Sequence, residues 1–433
     1  MPRLYVETYG CQMNVADTEL ITGTLGAHGY VRVDTPDEAD VILLNTCAIR
    51  EHAEERVLGR LGALAVHKRR PGVRVGVTGC MAQHLRDKLR DQAPLVDLLV
   101  GPDGYRHLPQ LLAADETDPH VGLRLDATET YADLPIARDG SVRAWVTIMR
   151  GCDRFCSFCI VPFVRGRERS LPGPVLVDQV RAAVESGARE VVLLGQTVNA
   201  YRHGDWDFAR LLRAVAAVPG IARVRFTSPH PAETTGAMIE AMAECATLAP
   251  QMHLPVQSGS DRVLERMLRD YTVAQYEDLV GRLRERVVGI ALSTDVIVGF
   301  PGEDDDDFAA TVALMRRVRY DSAFLFKYSR RDGTRAGKWD ETVSEDEKGR
   351  RLQTVIALQE AASAEINRSL VGKCVEVLVE GPARRHEGWM MGKTPQMKTA
   401  VFPGPATVGS LVHVRVESST AHSLRGLQAL PGA

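Results

Sequence analysis

Three times in the first eighty residues an apolar, β-branched run of strand length gives way to a segment with apolar positions at helical spacing. The runs are Leu4-Tyr-Val-Glu-Thr-Tyr-Gly10, Val41-Ile-Leu-Leu-Asn-Thr46 and Val73-Arg-Val-Gly-Val-Thr-Gly79, and the helical patterns are Asp17–His28, Glu51–Arg69 and Ala82–Asp91. Successive strand–helix units imply an open parallel sheet. After a Pro-punctuated acidic stretch between Asp115 and Asp139, read as a linker, the alternation resumes. Candidate strands are Val142–Met149, Glu190–Leu194, Arg223–Thr227, Gln251–Val256, Ile290–Val298 and Ser322–Tyr328. Helices fit between them at Pro174–Ser186, Phe208–Val218, Asp261–Arg269, Val273–Arg286 and Asp306–Val318. Six units predict a partial (β/α)6 barrel, open on one side. A long helical pattern, Ser344 to Leu370, is placed to pack on it. The tail breaks into short strands between Gly/Pro turns (Val375–Val379, Trp389–Gly392, Thr399–Phe402, Leu411–Val416), which predicts a small β-barrel.

The fold class is therefore α/β with an appended β-barrel, and the domains are expected at 1–117, 138–368 and 370–433. Composition adds little: 45% hydrophobic and 25% charged residues describe an ordinary globular chain. No stretch approaches a membrane span, and no apolar core follows the basic start Met1-Pro-Arg3, so a cytoplasmic protein is expected. Fifty-three basic against 56 acidic side chains leave a net charge of −3. Any nucleic-acid contact must then come from local patches.

The eight cysteines change the picture. In a chain without a secretory signal, grouped cysteines point to metal or cluster ligation rather than disulfides. Cys152, Cys156 and Cys159 lie within Arg150-Gly-Cys-Asp-Arg-Phe-Cys-Ser-Phe-Cys-Ile-Val-Pro162. A cubane cluster takes four ligands, so a run that stops at three leaves one iron open to substrate or cofactor. Zinc is the alternative, with His203 or His230 as fourth ligand. Cys11, Cys47 and Cys80 each follow one of the first three strands, so they gather at the carboxyl edge of the sheet, where open α/β sheets bind ligands. They either share a second cluster or are three buried thiols. Cys245 and Cys374 are expected in the core. Polar residues follow the later strands: Gln196 and Asn199, Ser228 and His230, Gln257 and Ser258, Tyr328 and Arg330. The run Glu303-Asp-Asp-Asp-Asp307 is expected to be a solvated helix start rather than a metal site.

Six arginines against two acids lie between Arg143 and Arg169, and the tail places Arg384, Arg385, Lys393 and Lys398 near Trp389 and Phe402. Guanidinium forks and aromatic faces suit phosphate contact and base stacking. An ordinary surface, or arginines that hold a carboxylate, remains open as the other reading.

Several segments resemble the radical S-adenosylmethionine (radical-SAM) methylthiotransferases. They are Thr8-Tyr-Gly-Cys-Gln-Met-Asn14, Asn45-Thr-Cys-Ala-Ile-Arg-Glu51, Gly79-Cys-Met-Ala-Gln83, the Cys152–Cys159 run, Leu193-Leu-Gly-Gln-Thr-Val-Asn-Ala-Tyr201, His253-Leu-Pro-Val-Gln-Ser-Gly-Ser-Asp261 and Asp295-Val-Ile-Val-Gly-Phe-Pro-Gly-Glu303. The resemblance covers essentially the whole chain and makes the tail look like a TRAM domain. Gly-Cys-Gln-Met-Asn and Gly392-Lys-Thr-Pro-Gln-Met-Lys-Thr-Ala-Val-Phe-Pro403 resemble the tRNA branch. Tyr328-Ser-Arg-Arg-Asp-Gly-Thr334 departs from the family's Tyr-Ser-Pro-Arg-Pro-Gly-Thr.

The resemblance implies methylthiolation of C2 of N6-isopentenyladenosine (dimethylallyladenosine) beside the tRNA anticodon. It implies two 4Fe–4S clusters and two S-adenosylmethionine molecules. Cys152, Cys156 and Cys159 hold the cluster that generates the 5′-deoxyadenosyl radical; Cys11, Cys47 and Cys80 hold the one that delivers sulfur. Phe158, Gln196, Asn199, Gln257 and Ser258 are expected at the cofactor, and Arg165, Arg167, Lys393 and Lys398 at the RNA. A sulfur donor and an electron donor such as flavodoxin or ferredoxin complete the partners, with no membrane. The alternatives are threonylcarbamoyl-adenosine or a ribosomal-protein aspartate as substrate, and a non-catalytic iron–sulfur RNA-binding regulator.

Overall fold

The computed structural model describes residues 1–48, 51–114, 120–384 and 386–429. Arg385, residues 115–119 of the expected linker and the last four residues of the tail lie outside the described residues. Six parallel strands form the first sheet in the order Val31–Arg32, Arg3–Thr8, Val41–Thr46, Arg74–Gly79, Leu98–Val100, His120–Gly122. Strand Val41–Thr46 is buried at every position because helices cover both faces, which explains its uninterrupted apolar run. Burying Ile42, Leu43 and Leu44 contributes about 1.5–3 kcal/mol each.

Helix boundaries shift from the periodicity at chemically meaningful places. The first helix starts at Gln12, not Asp17, with Cys11 in extended conformation at its N-cap and Asn14 returning a carboxamide oxygen to the Cys11 amide at 3.3 Å. The expected helix Ala82–Asp91 is two helices, Cys80–Leu85 and Asp87–Gln92, broken at Arg86 with φ +47°. The acidic stretch is more than a connector: among its described residues, His120–Gly122 adds the sixth strand, and Tyr131 stacks on Tyr105 at 5.8 Å and donates to Pro102 O.

The central strands Arg143–Thr147, Glu190–Leu194 and Arg223–Phe226 form one parallel sheet, and Gln251–His253, Ala291–Val298 and Ser322–Lys327 another. A parallel bridge, Val224 to Leu248, links them into a half-barrel. Helix Glu345–Arg368, capped by Ser344, packs on its last strands. The acidic run starts helix Asp305–Val318, as expected, but it is not simply solvated. Glu303 and Asp307 are buried, paired with Arg351 and Arg262.

The tail closes into a five-stranded barrel (Cys374–Pro382, Trp389–Lys393, Thr399–Pro403, Ser423–Gln428, Leu411–Ser419). Its strand Ser423–Gln428 is too short and polar for the alternation to show. This barrel seals the amino-terminal end of the half-barrel: Arg225 donates to Thr394 O (2.8 Å) and Pro395 O (2.7 Å), and Arg223 pairs with Glu376 at 2.8 Å.

Candidate metal centres

The first cysteine group occupies a loop after strand Arg143–Thr147. Gly151 turns it at φ +78°, and a Cβ there would lie 2.0 Å from Arg167 O, so only glycine lets the outgoing and returning legs cross. The loop is pinned by Cys152 N to Gly166 O (3.1 Å), Ser157 N to Met267 O (3.0 Å) and Ala336 N to Ser157 O (2.7 Å). Burial pushes the Cys159 thiol up to about 12, with the charges of Cys156 and Cys152 adding to it, and burial also raises Cys152. Thr197 Oγ1 lies 3.4 Å from Cys152 Sγ, and half-buried Arg269 donates from Nη1 to Cys156 Sγ at 3.5 Å. Arg269 is itself held by Tyr271 OH and Pro255 O.

The second group forms where three βα turns meet. Gly10 has φ +134°, and a Cβ there would lie 2.5 Å from Cys47 Cβ, which shows how closely the first two turns approach. A hydrogen bond from the neighbouring Cys47 brings the Cys11 thiol down to about 6, and Arg165 adds to that effect while burial opposes it. Cys80, first residue of its helix, is raised by burial, with the Arg165 guanidinium opposing. Arg165 donates from Nε to Cys80 Sγ at 3.1 Å and from Nη2 to Asp17 at 2.7 Å. Arg150 donates to the other Asp17 oxygen at 2.8 Å.

Among the described residues no three His, Cys, Asp or Glu side chains lie close enough to share one metal ion. Thiolates around a cubane stand further apart than thiolates on one ion, because each binds a different iron. Neither histidine weighed as a fourth zinc ligand joins a group that could share one ion among the described residues. His203 is exposed on the two-residue strand Arg202–His203. His230 is buried against Tyr271, its Nδ1 accepting from Ala232 N.

The other expected site residues divide. Phe158 meets Phe300 edge-on at 6.3 Å, beside Ile297 and Tyr328, and Gln196 Oε1 is buried without a protein partner among the described residues. Gln257 is buried at φ +72°. Asn199 spends its amide on the His230 backbone (2.8 Å to O and from N), and Ser258 Oγ lies 3.3 Å from Thr311 Oγ1, so both brace loops. Tyr328 is buried and Arg330 exposed.

Of the expected RNA contacts, Arg165 is 4% exposed, and both guanidinium edges in use point inward. Burial leaves it no face for a phosphate, which corrects that expectation. Lys398 pairs with Asp321 at 2.8 Å, and half-buried Lys393 donates to Thr399 Oγ1 at 2.7 Å. Lys398 fastens the tail barrel to the half-barrel, and Lys393 is spent on the neighbouring strand of its own barrel. Arg167 is exposed, paired with Asp153 and set over the exposed Phe155 ring at 5.5 Å. Cys374, expected in the core, is exposed, because its strand begins at the barrel rim; Cys245 is half-buried.

Periodicity missed three features. Arg269 and Asp17 were invisible as partners, although a charged residue at Asp17 on an apolar helix face was a signal. So was the open face of the second central sheet. There strand alternation puts His253, Ser293, Asp295, Ile297, Phe324 and Phe326 on one side, with His253 Nε2 3.3 Å from Asp295 and its ring 5.7 Å from Phe324.

Three family profiles match successive parts of the chain: "Uncharacterized protein family UPF0004" over residues 3–101, the radical SAM superfamily over 146–315 and the TRAM domain over 368–427. The chain is 45% identical to a Chlorobium limicola protein named tRNA-2-methylthio-N(6)-dimethylallyladenosine synthase, covering 99% of each. It is 46% identical to a protein of that name from Acidithiobacillus ferrooxidans, covering 99% of this chain and 98% of the other. A third of that name, from Clostridium botulinum, is 40% identical over 98% of this chain and 96% of its own. Among solved structures, the radical S-adenosylmethionine methyltransferase TsrM from Kitasatospora setae shares the fold with a TM-score of 0.60 at 14% identity, over 90% of this chain and 77% of that one. The cobalamin-dependent S-adenosylmethionine radical enzyme OxsB does so with a TM-score of 0.55 at 14% identity, over 83% and 56%.

Proposed function

Because the chain belongs to the radical-SAM family of tRNA-2-methylthio-N(6)-dimethylallyladenosine synthases, we propose that it replaces the C2 hydrogen of N6-isopentenyladenosine in tRNA with a methylthio group. That C–H bond is neither acidic nor electrophilic, so positioned acids and bases cannot replace it. When bound, two 4Fe–4S clusters and S-adenosylmethionine supply the radical, sulfur and methyl chemistry.

The donor sets suit these groups. Each site offers three cysteines from turns at strand ends, and each has an arginine donating to one thiol (Arg165 buried, Arg269 half-buried), which favours an anionic, sulfur-rich occupant. Cys152, Cys156 and Cys159 hold the reducing cluster; Cys11, Cys47 and Cys80 hold the sulfur-delivering one. Phe158, between two of the first ligands, and unpartnered Gln196 line the approach for the S-adenosyl group. The open face of Phe324, Phe326 and His253 gives the isopentenyl chain an apolar wall within the half-barrel, continuous with Phe158 through Ile297. Arg167 with exposed Phe155, and exposed Arg425, whose guanidinium lies 4.4 Å over the half-buried Trp389 ring, are pairs that suit RNA.

The observation that carries the reading is the placement of both triads against one short helix. Val161–Arg165 follows Cys159 directly and ends in the residue that touches Cys80. Cluster-bearing loops on either side of this helix would supply radical chemistry from Cys152, Cys156 and Cys159 and sulfur from Cys11, Cys47 and Cys80. No helix is long and apolar enough to cross a membrane among the described residues. We place the enzyme in the cytoplasm with tRNA, supplied by a sulfur donor and by a separate electron donor such as flavodoxin or ferredoxin. Anaerobically reconstituted protein, given reductant, S-adenosylmethionine and tRNA bearing isopentenyladenosine, is expected to yield the 2-methylthio nucleoside with 5′-deoxyadenosine. Methylthiolation of threonylcarbamoyl-adenosine or of a ribosomal protein instead, or no 5′-deoxyadenosine at all, overturns it.

A further inference from the structure

Helix Val161–Arg165 is only five residues long, yet it belongs to both triads. Its first turn continues the Cys152–Cys159 loop, and Ile160 and Val164 pack in one buried cluster with Ala48 and Cys80 of the amino-terminal sheet. Its last residue, Arg165, donates from Nε to Cys80 Sγ at 3.1 Å and from Nη2 to Asp17 Oδ2 at 2.7 Å. Arg150 takes the remaining Asp17 oxygen at 2.8 Å. Asp17 is fully buried, and Arg150 and Arg165 are 3% and 4% exposed.

Two guanidiniums face one carboxylate, which leaves one positive charge to be met from the thiol side of the chamber. Arg165 Nη1 and Arg150 Nη1 are buried without an acceptor among the described residues. An uncompensated buried cation costs several kcal/mol unless an anion meets it. The thiols at Cys11, Cys47 and Cys80 are where that anion binds. A cubane held by three thiolates is anionic, and reduction adds one more negative charge. Hydrogen bonds to its sulfurs and positive charge beside it favour the reduced form.

We propose that Arg165 is a positioning residue that ties the second cluster to the loop of the first and raises its reduction potential. The proposal rests on the reading of Cys11, Cys47 and Cys80 as cluster ligands. Arg150 is the internal control, being equally buried on the same carboxylate but with no contact to a thiol. A merely structural role predicts that altering either arginine has the same consequence.

The test uses the full chain with Cys152→Ala, Cys156→Ala and Cys159→Ala, so that only the second site loads. Redox titration followed by electron paramagnetic resonance then reads that cluster alone. Arg165→Met is expected to shift the reduction equilibrium at least tenfold toward the oxidised form, about 59 mV for one electron, and to change the spectrum of the reduced state. Arg165→Lys keeps the charge without the fork and recovers part of the shift, while Arg150→Lys moves it less than about twofold (RT ln 2 being about 0.4 kcal/mol). A loaded Arg165→Met protein with unchanged potential overturns the proposal, and so does an equal shift for Arg150→Lys. Should Arg165→Met fail to load, the Arg165→Lys and Arg150→Lys pair decides on the same terms. A parent triple variant that binds no cluster overturns instead the ligand reading itself, and the proposal with it.

Discussion

Glu190 and Arg225 meet at 2.8 Å with the carboxylate fully buried and the guanidinium 3% exposed, and the same Glu190 holds Arg143 at 2.5 Å through its other oxygen. Strand alternation turns all three inward at the amino-terminal end of the half-barrel, where the tail barrel covers them. Burial alone raises a carboxyl, but the two guanidiniums hold Glu190 below the usual carboxylate range.

Removing this acid should therefore be costly. Glu190→Ala leaves Arg225 buried without its counter-charge and half-buried Arg143 with Glu380 alone, a loss of about 3–5 kcal/mol. Denaturant unfolding of the metal-free chain measures it, and hydrogen exchange should show the Lys393–Lys398 segment opening first. A change under about 1 kcal/mol would mean that the pair is not sealed.

The two triads should separate functionally. Cys47→Ala is expected to retain cleavage of S-adenosylmethionine and to make no methylthio product, whereas Cys159→Ala loses both. Full product from Cys47→Ala removes the second site from the reaction.

Backbone geometry gives an independent handle on the second site. Gly10 sits at φ +134° with Cys47 Cβ 2.5 Å from where a Cβ would be, so Gly10→Ala pushes two ligand turns apart. Iron content should fall from about eight to about four atoms per chain, with the first cluster retained. Unchanged iron would show that the turns can give.

Acid should destabilise the metal-free protein through His230. Burial first, then the charges of Arg269 and Arg154, depress its pKa to about 2. The unfolded chain therefore binds a proton below about pH 6.5 that the folded chain refuses, so this contribution is complete above that pH and is lost on going below it. Each pH unit of that range costs up to about 1.4 kcal/mol. His230→Gln should flatten the fall between about pH 6 and 4; an identical slope for parent and variant in urea titrations would reassign it.

Exposed and buried cations should differ in tRNA binding. Arg167→Ala is expected to weaken binding and reduce the salt slope by about one, and Trp389→Ala to cost about 1–3 kcal/mol. Lys398→Ala should leave the slope unchanged, because Lys398 is spent on Asp321. Filter binding across a salt series distinguishes them.

Much of this architecture was legible because it follows from short-range rules. Strand Val41–Thr46 announced itself by an unbroken apolar run, helix Val273–Arg286 by its spacing, and the Cys152–Cys159 loop by spacing alone. The errors came where a residue's partner is distant in sequence. Arg165 and Lys398 looked like phosphate ligands because composition registers charge and cannot register Asp17, 148 positions away, or Asp321, 77 positions away. A polar residue after a strand, as at Asn199 or Ser258, reads the same whether it faces a ligand or braces a turn.

By itself, then, the order of residues determined which elements form and which side chains carry the chemistry, since helix, strand and motif are encoded within a dozen neighbours. Only the tertiary structure decided that one arginine on a five-residue helix reaches from one cysteine site to the other. That decision depends on how two sheets pack, and packing is set by summed contacts among residues that no local pattern relates.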